Sequence, residues 1–346
     1  MSWQQGAALE KHDGSIRIMI SRARLAFRAS PAPVAASRAT RSRTLHTSPQ
    51  PWKDHHDPRF KELGREILDD YAQVRDHYES PKNALVLAHG LLGFSEIRAP
   101  LQFLPAIHYW HGITDALQTL APSLPIITPS VPPTGSIEQR AEALAVAIEA
   151  GAPRGRPVNI IAHSMGGLDA RYMIARLRPA GVRVASLVTI STPHHGSAFA
   201  DFMLHAARLS DWYGVMGTVG LGTGAFDQLT TAYLRDDFNP ATPDDPDTRY
   251  FSFGAATDLP GLLSPFRHSW RVVTRDEGPN DGLVSVQSSR WGDYRGTLRG
   301  VSHLDLINWT NRLRWETRRI WTGQRRPFNA VALYLDIADM LAKEGL

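Results

Sequence analysis

The sequence predicts an α/β fold in which a mostly parallel sheet carries helices on both faces. Apolar runs at Ala84–Ala88, Val158–Ala162 and Val184–Ile190 have the length and composition of buried strands. Segments with helical spacing alternate with these runs, which is the order that produces parallel strands joined by crossover helices. The chain has 346 residues, 42% of them hydrophobic, and is therefore long enough for one large domain of this kind.

Helices are predicted where apolar residues recur every three or four positions. The clearest one begins after Ser136, a good N-cap, carries Glu138 in its first turn and ends at Gly151. The predicted helices are Lys61–Tyr78, Ile137–Ala150, Gly167–Leu177, Leu304–Ile320 and Asn329–Lys343. Weaker strand signals are found at Pro125–Thr128, Arg249–Gly254 and Trp270–Thr274. Residues 197–240 interrupt the alternation and are interpreted as an insertion.

The basic character of the chain belongs to its N-terminal segment. The net charge is +4, but residues 1–50 carry Lys11 and seven arginines against two acidic residues, which leaves the rest slightly negative. A segment rich in Arg and Ser and poor in acidic residues is typical of an organellar transit peptide. We therefore predict that residues 1–50 are a disordered mitochondrial transit peptide. A plain basic tail or a secretory signal are the alternatives. Residues 51–80 follow as a linker and a helix, and residues 81–346 form the main domain.

The composition excludes several classes of function. The chain has no cysteine, so disulfides, thiol nucleophiles and Cys-based zinc or iron–sulfur sites are excluded. No apolar run approaches the roughly 18 residues that a membrane-spanning helix needs. Outside the N-terminal segment no basic patch remains to neutralise phosphates, so no nucleic-acid partner is predicted.

The sharpest local signal is the string Asn159-Ile-Ile-Ala-His-Ser-Met-Gly-Gly167. A buried strand leads into a tight turn at Ser164 and a helix begins at once, which is the context of a nucleophile elbow. The strand and helix backbones nearly touch there, so small residues are needed two positions before and after the serine. Ala162 and Gly166 occupy those positions, although the common pattern has glycine at the first. The helix start also directs the amide of Met165 toward a developing oxyanion.

A second glycine-containing loop, His89-Gly-Leu-Leu-Gly-Phe94, follows the first strong strand. In this architecture the loop after that strand supplies the second oxyanion N–H, and Leu91 is the candidate donor. Gly90 lets the backbone approach a substrate closely. An ordinary turn at a strand end is the alternative. His89 is expected to shape the loop through hydrogen bonds and not to titrate in the reaction.

In this fold the catalytic residues follow one another along the chain in the order serine, acid, histidine. The general base is therefore expected among the histidines that follow the insertion. His268 leaves room only for a nearby acid such as Asp258, which is too close in sequence for separate strand ends. His303 lies in a loop that leads into a predicted helix, and the chain before it is long enough for a complete strand or helix between the acid and the histidine. We therefore predict His303 as the base.

The predicted acid is Asp281, which lies in the strong turn signal Asn280–Gly282. Asp276 and Asp293 are the competing acids. In the resulting mechanism His303 takes the proton of Ser164 and returns it to the leaving alcohol, while Asp281 orients the histidine and stabilises its imidazolium. This set predicts a serine hydrolase that cleaves carboxylic esters.

The motifs, in this order, resemble those of the α/β-hydrolase lipase family, both true bacterial lipases and fungal mitochondrial triacylglycerol lipases. They are His89-Gly90, Ala162-His-Ser-Met-Gly166, Ser191-Thr-Pro-His-His-Gly196, Asn280-Asp-Gly-Leu-Val284 and Ser302-His-Leu-Asp305. The resemblance implies the α/β-hydrolase fold with a helical lid insertion, and triacylglycerol lipase activity. A structural role is expected for the histidines of the third motif.

The resemblance also assigns individual roles. Ser164, Asp281 and His303 match the family's nucleophile, acid and base, and Leu91 and Met165 match its oxyanion donors. Some bacterial relatives hold calcium through an aspartate two residues after the histidine, where this chain has Asp305. Asp258 is the candidate for a second ligand, because calcium needs several oxygen ligands. A helix cap is the alternative role for Asp305, and no other cofactor is predicted.

The insertion is interpreted as a lid. Apolar residues recur there at helical spacing and a glycine-rich segment follows them, so the helix is expected to cover the pocket in water and contact acyl chains when open. A static helix packed on the core is the alternative. The residues that give the insertion its helical spacing are Phe199, Phe202, Met203, Ala206, Leu209, Tyr213 and Met216.

The expected partners are a lipid ester substrate and, peripherally, a membrane or lipid-droplet surface. A phospholipase, an acyltransferase and a catalytically inactive lipid-binding scaffold remain alternative functions.

Overall fold

The structure, a computed structural model, describes residues 11–12, 15–16, 63–68, 71, 73–91, 109–209, 223–262, 264, 266–308 and 328–346. The chain divides into two units, Met1–Asp57 and Pro58–Leu346. In the first unit, strands β1 (Lys11–His12) and β2 (Ser15–Ile16) pair in antiparallel fashion. The rest of the predicted transit peptide lies outside the described residues.

A parallel sheet of seven strands forms the centre of the second unit. Its strands are β3 (Glu66–Ile67), β4 (Ala84–Ala88), β5 (Ile126–Ile127), β6 (Val158–His163), β7 (Val184–Ile190), β8 (Arg249–Ala256) and β9 (Asp293–Arg299). They follow one another across the sheet in the order β3-β9-β8-β7-β6-β4-β5, and every neighbouring pair is parallel. The predicted parallel sheet is confirmed.

Helices cover both faces of this sheet. The longer described helices are α1 (Ile113–Leu120), α2 (Ile137–Gly151), α3 (Gly166–Tyr172), α4 (Ala198–Leu209), α5 (Arg267–Asp276) and α6 (Ala330–Lys343). The predicted start of α2 is confirmed, because Ser136 and Gln139 exchange side-chain and backbone hydrogen bonds in a capping box. Helix α3 continues into a π-helical turn, Met173–Leu177. In the described part of the chain, no helix combines the length and apolarity needed to cross a membrane.

Successive residues of β4 contribute to two different apolar cores, because side chains of a strand alternate between its faces. Leu85 and Leu87 pack with α1 and α6 on one face. Ala84, Val86 and Ala88 pack with α2 and α3 on the other. A strand that is apolar on both faces is expected where helices cover both faces of a parallel sheet.

Two predicted elements were wrong. The segment predicted as the helix Lys61–Tyr78 instead forms strand β3 and irregular chain where it is described. Gly64 has a φ of 69°, which lies outside the range of an α-helix. The apolar residues of the segment do not share one buried face, since Leu68 is exposed. The predicted strand Trp270–Thr274 lies inside helix α5, whose buried residues include Trp270 and Val273. A short apolar run is compatible with a strand and with a helix, and the amphipathic pattern of the longer segment favours the helix here.

The predicted insertion between β7 and β8 is helical where it is described. Helix α4 opens it, and the shorter pieces are Thr223–Asp227, Thr231–Tyr233, the π-helical turn Leu234–Phe238 and Asn239–Ala241. Residues 210–222, with most of the predicted flexible glycines, lie outside the described residues. Of the predicted helix Leu304–Ile320, the structure describes a 3₁₀ turn, Asp305–Ile307, and residues 309–327 lie outside the described part. The predicted helix at Asn329–Lys343 is confirmed as α6.

Candidate active site

Ser164 occupies the turn between strand β6 and helix α3. Its φ is 56°, a left-handed conformation that a residue with a side chain adopts rarely and at a cost of about 1–3 kcal/mol. The Ser164 amide donates to the carbonyl of Ile190 (3.0 Å), and its carbonyl accepts from Thr192 Oγ1 (2.7 Å). The surrounding chain thus holds the strained turn in place, which is the geometry of a nucleophile elbow.

The glycines around Ser164 are required because backbones approach each other there. A Cβ at Gly166 would lie 2.6 Å from the Ala88 carbonyl oxygen and 2.8 Å from that of His89. A Cβ at Gly90 would lie 2.7 Å from the Cβ of Ser164. The loop after β4 is therefore in direct contact with the serine, and no side chain fits between them.

His89 shapes this loop, as the sequence analysis expected. Burial lowers the pKa of the His89 imidazole to about 4, so the ring is neutral. Its Nδ1 lies 3.0 Å from the Gly90 carbonyl and its Nε2 accepts from the Val131 amide (3.4 Å), which places the single proton on Nδ1. Arg140 Nη2 donates to the His89 carbonyl (2.7 Å), and Arg140 Nε donates to Asp169 Oδ2 (2.9 Å). The buried Arg140–Asp169 pair therefore anchors the loop to helices α2 and α3.

A tyrosine links the loop to the serine turn. The Gly90 amide donates to the hydroxyl of Tyr109 (3.0 Å), and that hydroxyl lies 2.7 Å from Nδ1 of His163. Since the hydroxyl accepts from Gly90, its own proton is directed at His163. Burial and the neighbouring His303 lower the pKa of His163 well below its usual value, so this imidazole is neutral. Its ring centre lies 4.5 Å from that of His303.

Asp281 and His303 form a buried hydrogen-bonded pair. His303 Nδ1 donates to Asp281 Oδ2 at 2.6 Å, and the His303 amide donates to the Asp281 carbonyl at 2.9 Å. The other carboxylate oxygen, Oδ1, accepts from the amides of Leu283 (3.0 Å) and Val284 (2.9 Å). These partners satisfy the carboxylate and hold it in a fixed position although it is fully buried.

The competing residues are used elsewhere. His268 lies on the exposed side of α5, with its ring centre 5.1 Å from that of Phe202. Asp276 pairs with Arg275, and Asp293 pairs with Arg295. The structure therefore brings together His303 and Asp281, the pair that the sequence analysis selected.

All these groups lie at the carboxyl edge of the parallel sheet. His89 follows β4, Ser164 follows β6 and His303 comes shortly after β9. The loop of Asp281 is tied to the end of β8, because the Thr257 amide donates to the Asn280 carbonyl (2.8 Å). Ligands of open parallel sheets bind at this edge, which makes it the candidate active site.

The surroundings of Asp305 do not fit a calcium site. Its carboxylate accepts from the amide (3.0 Å) and the hydroxyl (2.6 Å) of Ser302 and so closes the local turn. Within the described ranges, no group of three or more His, Cys, Asp or Glu side chains is placed to hold a metal ion. Calcium requires several oxygen ligands around one point, and we assign no step to it.

The histidines of the Thr192–Gly196 motif have structural contacts. His194 is buried, stacks on Trp291 with ring centres 5.2 Å apart, and lies 3.0 Å from Thr189 Oγ1. The guanidinium of Arg171 lies 3.6 Å from the Trp291 ring centre on the same cluster. Burial lowers the pKa of His194 well below its usual value. These contacts join α3 to the segment before β9.

The sequence analysis missed three residues of the site: Tyr109, His163 and Arg140. His163 lies inside the elbow string, but its neighbour in space is a tyrosine more than fifty positions away. Arg140 lies in a predicted helix, where the sequence alone does not distinguish it from the charged residues on the surface.

Comparisons with known proteins identify relatives of this chain. Residues 135–208 match the family model described as PGAP1-like alpha/beta domain. The chain is 36% identical over 329 residues to Triacylglycerol lipase 2 of Saccharomyces cerevisiae, covering 81% of this chain and 97% of that protein. It is 29% identical over 308 residues to the Triacylglycerol lipase of Pseudomonas fragi, covering 76% and 97%.

A solved structure supports the fold. The Staphylococcus hyicus lipase superposes with a TM-score of 0.55 at 18% identity, covering 78% of this chain and 98% of that chain. At this identity the likeness concerns the α/β-hydrolase architecture alone. With a relative of 36% identity matched along nearly its whole length, the chain belongs to the triacylglycerol lipase family and is a carboxylic ester hydrolase of the α/β-hydrolase fold.

Proposed function

We propose that this enzyme hydrolyses triacylglycerols, with Ser164 as the nucleophile, His303 as the general base and Asp281 as the orienting acid. The observation that carries the proposal is the 2.6 Å hydrogen bond between His303 and Asp281, at the sheet edge where Ser164 occupies a strained elbow. The names of the relatives, triacylglycerol lipases in yeast and bacteria, support the substrate class.

The Asp281–His303 pair prepares the base. Because Asp281 Oδ2 accepts from Nδ1 of His303, the neutral imidazole carries its proton there and leaves Nε2 free. Nε2 takes the proton of the Ser164 hydroxyl as its oxygen attacks the ester carbonyl carbon. The resulting imidazolium is stabilised by the buried carboxylate, and it then protonates the departing alkoxide to release a diacylglycerol. Water repeats the sequence on the acyl-enzyme and releases the fatty acid.

Two amides stabilise the oxyanion in this mechanism. Met165 stands at the start of α3, and Leu91 follows Gly90 in the loop that touches Ser164. Among the hydrogen bonds of the described residues, none uses the amide of Met165 or Leu91. Within the described part of the chain both can therefore donate to a negative oxygen, which the helix start also favours. One such donor typically lowers the barrier by about 3–4 kcal/mol.

The apolar insertion supports a lipid surface as the partner. In helix α4 the rings of Phe199 and Phe202 are half-buried and stack with centres 6.4 Å apart. An amphipathic helix of this kind covers the site in water and turns its aromatic face to acyl chains on a membrane or a lipid droplet.

Residues 1–50 direct the enzyme to the mitochondrion in this proposal. Their seven arginines, with acidic residues confined to Glu10 and Asp13, are typical of a presequence. Fused to a fluorescent reporter, these residues should send it to mitochondria. A reporter that stays in the cytosol would contradict this location.

Ser164→Ala tests the chemistry. We expect hydrolysis of emulsified triglycerides and of p-nitrophenyl esters of graded chain length to fall by about 10⁶-fold, as in other serine triads. Labelling by a serine-directed phosphonate should be lost as well. Ser191→Ala, a buried serine beside the elbow, provides the control and should still react with the probe. A Ser164→Ala protein that retains hydrolysis would exclude Ser164 as the nucleophile.

A further inference from the structure

We propose that the protein docks on anionic phospholipid surfaces through a patch beside the active site. The patch, called here the docking patch, consists of Leu259 and Leu262 in the loop after β8 and of His268 and Arg271 on helix α5. It deepens the proposed function, since it assigns to particular residues the contact with the surface on which the substrate lies.

Exposed leucines form the apolar part of the docking patch. Leu262 is 84% exposed, more than any other large hydrophobic side chain that the structure describes, and Leu259 in the same loop is 39% exposed. The loop is held in place and is not merely solvated, because Arg267 Nη1 donates to the Pro260 carbonyl (2.5 Å). An apolar tip that is held open to water is characteristic of an interaction surface.

The outer face of α5 supplies the charge. Arg267, Arg271 and Arg275 are spaced four residues apart and share one side of the helix, while Trp270 and Val273 are buried on the other. Arg275 is neutralised by Asp276, so the exposed Arg271, beside the exposed His268, carries the charge of this face together with the half-buried Arg267. From Thr257 to Asp276 the chain carries three arginines and two aspartates, so the balance is positive. Leucines beside arginines match the acyl and phosphate layers of an anionic bilayer.

The docking patch is continuous with the catalytic machinery. Trp270 Nε1 donates to the Thr257 carbonyl (3.0 Å), which packs the loop on α5 at the carboxyl end of β8. Phe266, at the start of α5, lies against Gly282, where a Cβ would come within 3.2 Å of the Phe266 Cβ. The ring of His268 contacts Phe202 of α4. The docking patch is therefore packed against both the loop of Asp281 and the proposed lid helix.

Vesicle binding tests the docking patch with the full chain. Binding is measured in the Ser164→Ala background by cosedimentation with vesicles of phosphatidylcholine alone and of phosphatidylcholine with phosphatidylglycerol. Leu262→Asp should weaken binding to the mixed vesicles at least about tenfold, since it removes an apolar contact and adds a like charge. Val146→Asp is the matched control, because Val146 on α2 is 66% exposed and should bind as the parent does.

A second variant separates charge from apolar contact. Arg271→Gln should weaken binding to the phosphatidylglycerol vesicles only, and added salt should remove the difference. All three side chains are exposed, so the variants should unfold at the temperature of the parent. Vesicle binding by Leu262→Asp equal to that of the parent, or an equal loss in Val146→Asp, would overturn the proposal. Because binding is measured without turnover, a wrong nucleophile assignment would leave this result unchanged.

Discussion

Ser164 and Asp281 lie at the same edge of the sheet, but the chain positions them by different means. On the nucleophile side, backbones touch: Gly90 and Gly166 leave no room for a Cβ, and Ser164 keeps a left-handed φ of 56°. On the acid–base side, polar contacts do the positioning, because Asp281 is held by two amides and by His303. The first arrangement depends on shape and the second on a buried charge.

The comparison teaches which changes each side tolerates. A closely packed backbone cannot accept added atoms, whereas a hydrogen-bonded loop keeps its shape when a group is replaced by an isostere. Substitutions that alter volume should therefore affect the folding of the nucleophile side. Substitutions that alter charge should affect the chemistry of the acid–base side and leave the fold in place.

Asp281→Asn should have the largest effect among the changes that separate the two sides. The amide cannot stabilise the His303 imidazolium and favours the wrong tautomer, so kcat should fall by about 10⁴-fold. The temperature of unfolding should change little, because the amide oxygen still accepts from Leu283 and Val284. Kinetics on a dissolved ester and a thermal melt measure both. A loss below about tenfold would mean that the acid is not Asp281.

Gly166→Ala should act on the other side and on stability. Its Cβ would lie 2.6 Å from a backbone oxygen that cannot move alone, so the free energy of unfolding should drop by about 3 kcal/mol. Gly181→Ala is the matched control, since its Cβ would meet only Glu149 at 3.8 Å. Urea unfolding compares the two variants. Equal stability would show that the elbow has more room than the contacts at Ala88 indicate.

Tyr109→Phe should lower kcat by less than Asp281→Asn does. Tyr109 links the Gly90 loop to His163, which is next to the acid–base pair. The substitution removes the acceptor of the Gly90 amide and the donor to His163, so kcat should fall about tenfold with KM unchanged. Tyr334→Phe removes a fully buried hydroxyl that has no hydrogen-bond partner in the described part of the chain, and should leave kcat unchanged. Identical kinetics of the two variants would assign Tyr109 no part in positioning the loop.

Acid pH should weaken the nucleophile side gradually, in proportion to the change in pH. The pKa of His89 is lowered to about 4 and that of His163 lies well below its usual value, so the unfolded chain binds more protons below about pH 6.5. The free energy of unfolding should therefore decrease as pH falls from about 6.5 toward 4, by up to about 1.4 kcal/mol per pH unit for each histidine. In His89→Gln the slope should be shallower. An unchanged slope would mean that His89 is charged when folded.

Sequence reasoning reached the parts of the site that short strings encode. The elbow at Ser164 and the turn at Asp281 have local signals, because a close backbone approach needs glycine and a tight turn needs Asn, Asp and Gly. Tyr109 and Arg140 have none, since their roles arise from contacts with residues that are distant in sequence. The same limit explains the segment near Ile67, whose apolar spacing suits a helix but whose backbone pairs with β9.

That pairing of Ile67 with Leu298 also affects the order of folding. Strand β9, which leads to His303, pairs on its outer side with β3, which lies near the other end of the unit. The two strands are separated by more residues than any other neighbouring pair in the sheet, so this pairing closes the longest loop. Closing it costs the most chain entropy, and pairings of this kind form slowly. We expect the imidazole to reach its place last. Until this pairing forms, the proposed base is not held beside Ser164, and we expect the chain not to hydrolyse esters.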